Sequence, residues 1–240
     1  MKNCILTILC EGPTESNFAS KVLGPFFCTH SIYVKTVILT TSRKKGATGG
    51  MISHQQAIND LARIFATIRS NHSETNIVTT MFDLYALPND FTDYAEAMRQ
   101  KDARTKVDIL EQALGAEIGR RNFIPYIQLH EFEALLFSDI MVLQIDYPDV
   151  SRNIEKLKAQ TDLIGDPELI NHNPETAPSK RIINTLHPKY QYNKVRSGVS
   201  ITSAITLPVI MDKCAHFNDW INQIIHLSNQ LEYEKNSHKQ

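Results

Sequence analysis

The 240 residues include only nine glycines and ten prolines, too few for a collagen-like or low-complexity chain. Cys4, Cys10, Cys28 and Cys214 show no C-x-x-C spacing and no paired histidine pattern. Neither a zinc site nor a disulfide framework is therefore expected, and the four cysteines read as buried, reduced thiols. No apolar run approaches the ~20 residues that a membrane span needs. The opening MKNCILTILCEGP meets Glu11 after a short apolar stretch and has no small-residue cleavage site, so it reads as a strand and not a leader. A cytoplasmic protein with no membrane segment is the expectation. No Gly-rich Walker-type loop is present either.

The formal net charge of −1 hides a segregation. No acid lies between Glu15 and Asp60, a stretch holding Lys21, Lys35, Arg43, Lys44 and Lys45. None lies between Glu175 and Asp212, where Lys180, Arg181, Lys189, Lys194 and Arg196 fall. Residues 60 to 175 hold 20 of the 26 acids. Two basic stretches around an acidic centre suit a surface that takes a polyanion beside a cluster of carboxylates. Solvated faces of unrelated helices would leave the same statistics.

Hydrophobic patterning places strands at Asn3–Leu9, Ile32–Leu39, Asn76–Phe82 and Phe123–Leu129. Helices are expected from Thr14 to about Leu23, ending before Gly24-Pro25, from Ser53 to about Arg69, and from about Ala103 to Gly119. Thr40 to Gly50 reads as a loop. From His130 onwards the chain turns to helices punctuated by prolines. The fold expected is α/β, a mostly parallel four-stranded sheet flanked by helices with a helical C-terminal elaboration. Residues 1–129 would form the core and 130–240 a helical continuation packed on it.

In an open parallel sheet the functional crevice lies at the carboxyl ends of the strands. Glu11 falls just past the first strand, Asp83 just past the third, and His130, Glu131 and Glu133 just past the fourth. Glu15 follows Glu11 by four residues. Such hard oxygen donors suit Mg²⁺ or Mn²⁺ better than zinc. Glu11 and Asp83 are the first candidate metal ligands, and Glu15 either completes the shell or moves protons. If the chain is helical from His130, Glu131 and Glu133 diverge by ~200° and only one enters the site; Glu133 is preferred. His130 reads as a structural histidine. Lys194, near Ser197-Gly198, can hold a phosphate and stabilise developing negative charge. Ser179, Lys180 and Arg181 suggest a phosphate contact at a helix start. Arg43, Lys44 and Lys45 read as a clamp on a nucleic-acid backbone, with Arg196 in the second basic stretch. Phe217 and Trp220 look like core residues.

The segment E-G-P-T-E after an apolar strand is similar to the opening of Toprim-type domains, found in topoisomerases, primases and the overcoming-lysogenization-defect nucleases. Glu11 and Glu15 match the E-x-x-x-E spacing of that last group. Met81 to Tyr85 occupies the place of the Toprim D-x-D strand end, with Tyr85 where the second Asp would stand. More closely, the chain resembles the bacterial domain-of-unknown-function family 4276. The matching blocks are EGPTE, FDLYALP, IPYIQLHEFEALLFSD, APSKRI and KCAHFNDWI, spread from Glu11 to Ile221, and with the strand before them the resemblance runs from residue 4. The resemblance implies a Toprim-like fold and an acid-coordinated divalent metal. It also implies a late Lys or Ser-x-Gly element, which Lys194 and Ser197-Gly198 approach. The Toprim nucleases are usually fused to an ATPase, so here any ATPase would be a separate partner. Together these features suggest a metal-dependent nuclease working with such a partner in phage defence. An inactive Toprim-like adaptor that binds nucleic acid or an ATPase is the alternative, favoured by Tyr85. A weaker third reading is phosphoryl or nucleotidyl transfer to a small substrate.

Overall fold

A computed structural model describes residues 4–40, 51, 53–68, 74–171 and 174–237. The first strand, β1 (Cys4–Cys10), is followed by α1 (Pro13–Phe18), a π turn at Ala19–Leu23 and α2 (Gly24–Thr29). Then come β2 (Ile32–Ile38), α3 (His54–Thr67), β3 (Thr75–Asp83), α4 (Tyr94–Arg99) and α5 (Ala103–Ile118). Two fragments, β4 (Phe123–Ile124) and β5 (Ile127–Gln128), complete the sheet. Its order is β2-β1-β3-β4, with β5 also on β3, and every pairing is parallel.

The sheet is covered on both faces, as parallel sheets require. Along β1 the side chains alternate: Cys4, Leu6, Ile8 and Cys10 enter one apolar cluster, and Leu9 enters the other. The first cluster joins α1 and α2 to the C-terminal helices, and the second is sealed by α3, α4 and α5. Ser53 caps α3 by accepting from Gln56 N, and Asp102 caps α5 by accepting from Thr105 N. Gly119 ends α5 at φ 59°, a left-handed position that glycine takes without strain.

Two elements depart from the sequence expectation. The first helix does not stop at Gly24-Pro25. A π turn carries it through, with Gly24 N donating to Ala19 O, and Pro25 falls in the first turn of α2 where its missing N–H costs nothing. The fourth strand is split because Pro125 cannot donate to the ladder. The Thr80 hydroxyl fills the gap, accepting from Tyr126 N at 2.8 Å and donating to Tyr126 O at 2.9 Å.

Beyond the sheet lie a mainly 3₁₀ segment (Phe132–Val142), α6 (Leu143–Asp146), α7 (Ser151–Thr161), α8 (Pro178–Leu186), α9 (Lys194–Ile205), α10 (Leu207–Lys213) and α11 (Ala215–Ser237). Trp220 of α11 stacks on Tyr126 at 4.1 Å between ring centroids and donates from Nε1 to Thr79 Oγ1. Among the described residues no helix is long and apolar enough to cross a membrane. Cys4, Cys10 and Cys214 are buried, whereas Cys28, on the outer side of α2, is exposed. The expectation of four buried thiols is corrected at that position. No disulfide joins any of them.

Candidate metal centre

The parallel registers bring the strand ends into line: Cys10 pairs with Ile38 and Met81, and Asp83 pairs with Gln128. Glu11, Asp83 and the Glu131–Glu133 segment therefore emerge on one edge. Backbone amides hold the acids there. Glu11 Oε2 accepts from Asp83 N at 3.1 Å, and Asp83 Oδ1 accepts from Phe132 N at 2.9 Å. Glu15 Oε2 reaches back to Gly12 N at 2.8 Å, closing the first turn of α1. A Cβ at Gly12 would lie 3.3 Å from that oxygen, so glycine leaves the carboxylate room.

Glu131 and Glu133 do not diverge as a helix would make them. Glu131 is extended (φ −147°, ψ 156°) and the 3₁₀ turn starts only at Phe132, so the 100° per residue rule does not apply across the pair. Glu131 Oε2 accepts from Ser179 N at the start of α8, and Glu133 Oε2 accepts from Lys194 Nζ, each at 3.0 Å. Glu133 is 1% exposed and its Oε1 has no hydrogen-bond partner. The Tyr192 hydroxyl, also buried, faces the same carboxylate, and burial with the Glu133 charge and side-chain contact pushes its pKa up. Nothing in the spacing of Tyr192 marks it in the sequence.

Lys194 arrives from the first turn of α9, whose Gly198 packs against α1 and Phe132. A Cβ there would meet Phe132 Cε1 at 3.1 Å. Gly198 lies four residues after Lys194, on the same helix face, so this close approach aims the ammonium at the acids.

The electrostatics are those of a site short of positive charge. Burial pushes Glu11 up to about 7; the Asp83 N–H opposes that, Glu15 adds to it, and Lys194 pulls it back. Burial raises Glu15 and Glu133. Asp83 stands well above the usual carboxylate range through burial and the charges of Glu11, Glu15 and Glu133. Burial pulls Lys194 down, but Glu133 and Glu131 outweigh it and raise its pKa. The donors are all hard oxygens, and one buried carboxylate oxygen lacks a partner. This set fits a divalent cation of the Mg²⁺ or Mn²⁺ kind.

These shifts carry a stability consequence. A carboxylate whose folded pKa is raised contributes stability that is present below its unfolded pKa and lost as pH rises through the folded value. The lowered pKa of His130, about 4 through burial and Lys106, acts oppositely, but only below its ordinary value of 6.5. Between pH 6.5 and 8 the edge carboxylates act together with Glu168, which burial also raises to about 7. We expect the metal-free protein to lose about 1–3 kcal/mol over that window, and 10 mM Mg²⁺ to remove the share due to the edge acids while leaving that of Glu168. Thermal unfolding followed by circular dichroism at each pH measures both, and a midpoint that rises with pH would contradict it.

The basic candidates are placed differently. Lys180 is exposed, while Arg181 Nε donates to Thr176 O at 2.8 Å. The amide of Ser179 is taken by Glu131, so the start of α8 receives a carboxylate of this chain and not a free phosphate. That takes the Ser179 amide out of the phosphate contact expected there. Arg43, Lys44 and Lys45 lie outside the described residues, as does the side chain of Arg196.

Residues 10–225 match the family model of a domain of unknown function, DUF4276. The chain belongs to that family. No curated protein matches this DUF4276 chain. Among solved structures, the C-terminal region of the Xanthomonas campestris pv. campestris OLD protein is similar, with TM-score 0.41 and 15% identity over 95% of this chain and 96% of that one.

A second cluster escaped the sequence reading because its members are far apart in the chain. Asp166, Glu168 and Cys214 place ligand atoms within 4.8 Å of one another, tighter than any other such group among the described residues. The sheet-edge acids stand farther apart, each held by its own amide or ammonium. Glu168 is already committed: Oε2 accepts from His216 N and Phe217 N in the first turn of α11, and Oε1 accepts from Gln128 Nε2. In this DUF4276 chain Glu168 serves as a buried helix cap, and Cys214 pairs with Ser138 at 3.3 Å.

Proposed function

We propose that this DUF4276 protein is a divalent-metal-dependent phosphodiesterase acting on nucleic acid. The observation that carries the reading is the convergence of Glu11, Glu15, Asp83, Glu131 and Glu133, with Lys194, on the carboxyl edge of one parallel sheet. Glu11, Asp83 and Glu133 would hold Mg²⁺ or Mn²⁺. When bound, such an ion supplies Lewis acidity toward a phosphoryl oxygen. Lys194, 45% exposed and charged, is able to turn its ammonium from Glu133 toward negative charge developing on a phosphate. Glu15, whose pKa burial raises, suits taking up or releasing a proton. A separate ATPase partner and a role in phage defence fit the Toprim resemblance and belong to this proposal.

The adaptor reading has one observation in its favour. The side chain two places after Asp83 is Tyr85, 40% exposed, which offers no carboxylate to a metal. Cleavage of labelled single- and double-stranded DNA and RNA in Mn²⁺ separates the two. Divalent-dependent cleavage is expected in the wild type, with a loss of at least about 100-fold in Glu11→Ala. Equal rates in wild type and variant would assign the cleavage to another site. Strand binding without cleavage under any divalent ion would favour the adaptor.

A further inference from the structure

Beside the acids, on the same edge of the sheet, lies a cavity of about 560 Å³. That is within the ordinary range for small-molecule sites and large enough for one nucleotide. Tyr85 and His130 line it from the ends of β3 and β5, Tyr94 and Met98 from α4, Lys106 from α5, and Asn171 from the segment after Glu168. Tyr85 is two residues past Asp83, and His130 immediately precedes Glu131. Two residues of chain reach at most ~7 Å, so the backbone at Tyr85 and His130 lies close to that of the carboxylates.

Its chemistry is that of a base-binding pocket. The Tyr85 ring is 40% exposed and stands 5.3 Å from the His130 ring at an interplanar angle of 49°, leaving an aromatic face open. Tyr85 N donates to His130 O at 3.1 Å, which ties the two residues together. His130 has φ 62°, a left-handed conformation that a non-glycine residue keeps only where its surroundings impose it. The Asn171 amide nitrogen lies 3.4 Å from His130 Nδ1, while its Oδ1 is buried with no partner, so the side chain must turn for that oxygen to accept from a ligand. Lys106 provides a cation. Asp102, also on the lining, is held as an anion by Thr105 N and Thr105 Oγ1, so a phosphate would lie away from it.

We infer that this cavity is a nucleobase pocket, taking an unpaired adenine, cytosine or guanine of a single strand whose adjoining phosphate lies at the acids. Asn171 Oδ1 would accept from the amino group of the base, which thymine and uracil lack. Tyr85 would supply the stacking face. The inference rests on the phosphodiesterase reading for its ligand class.

The test is fluorescence anisotropy with labelled ten-nucleotide strands of deoxyadenosine, of thymidine and of abasic sugar, in Ca²⁺. The adenine strand should bind tightest, and Tyr85→Ala should weaken it by about 5- to 100-fold without changing the abasic strand. Tyr85→Phe should retain the affinity, and Asn171→Ala should level adenine and thymine. Near-ultraviolet circular dichroism of the Tyr126–Trp220 stack reports that each variant is folded. Deoxyadenosine monophosphate that competes mole for mole with the strand would overturn the strand assignment in favour of a free nucleotide. Equal affinity for abasic and intact strands, with Mn²⁺ binding intact by calorimetry, would overturn the pocket and leave the phosphodiesterase reading. Base-dependent binding by a protein that takes up no Mn²⁺ and cleaves nothing would support the pocket and overturn that reading.

Discussion

Asp83→Asn is expected to make the metal-free protein more stable and to cost it at least about 100-fold in Mn²⁺ affinity. Both effects follow from the same carboxylate. In the folded chain Asp83 is buried beside Glu11, Glu15 and Glu133, and its pKa is driven far up. Asparagine keeps an oxygen for Phe132 N, so the backbone contact survives while the cost of keeping a buried carboxyl from ionising is removed. The gain should be about 1–2 kcal/mol near neutral pH and should shrink in acid, where the unfolded carboxyl is protonated as well. Thermal unfolding at pH 7.5 and 5 gives the first effect, and Mn²⁺ calorimetry gives the second. An asparagine variant that binds Mn²⁺ like the wild type would remove Asp83 from the metal site.

Glu168→Ala is expected to be the most destabilising single change, by about 3–5 kcal/mol. The carboxylate is 1% exposed and accepts from His216 N, Phe217 N and Gln128 Nε2. Alanine strands two amides in the first turn of α11 and a buried side-chain amide, and leaves a cavity as well. Glu168→Gln keeps an acceptor and should lose less than half as much. Urea unfolding measures both, and a loss below about 1 kcal/mol for alanine would show that water or a neighbour takes over the cap. A metal at Asp166, Glu168 and Cys214 predicts something different, namely a midpoint that falls on adding a chelator even in Asp83→Asn.

What could be read in the sequence follows the range of the forces involved. The strand ends at Glu11 and Asp83 are set by short apolar runs and by the parallel topology those runs demand, and both acids emerge on one edge. The caps Ser53 and Asp102 are local in the same sense. The fate of Glu131 and Glu133 depends on where a helix starts, and that is decided by amides 48 residues away at Ser179. Lys194 was legible as a candidate cation, but its contact with Glu133 spans 61 residues and needs the close approach at Gly198. Pro125 announces a broken ladder, yet the Thr80 hydroxyl that repairs it is visible only in three dimensions. Glu168 looks like any surface acid until α11 is docked onto it.

The bonds that hold the acids have a consequence for how the protein comes into being. Glu11 to Asp83 spans 72 residues, Asp83 to Phe132 49, Glu131 to Ser179 48 and Glu133 to Lys194 61. None of these ties can form within a single supersecondary unit. A chain still leaving the ribosome, or one opened by local fraying, carries scattered acids in place of the assembled cluster. Whatever chemistry the assembled edge performs is thus withheld until synthesis has passed Lys194 and the C-terminal helices have docked, so completion of the fold acts as its own licence.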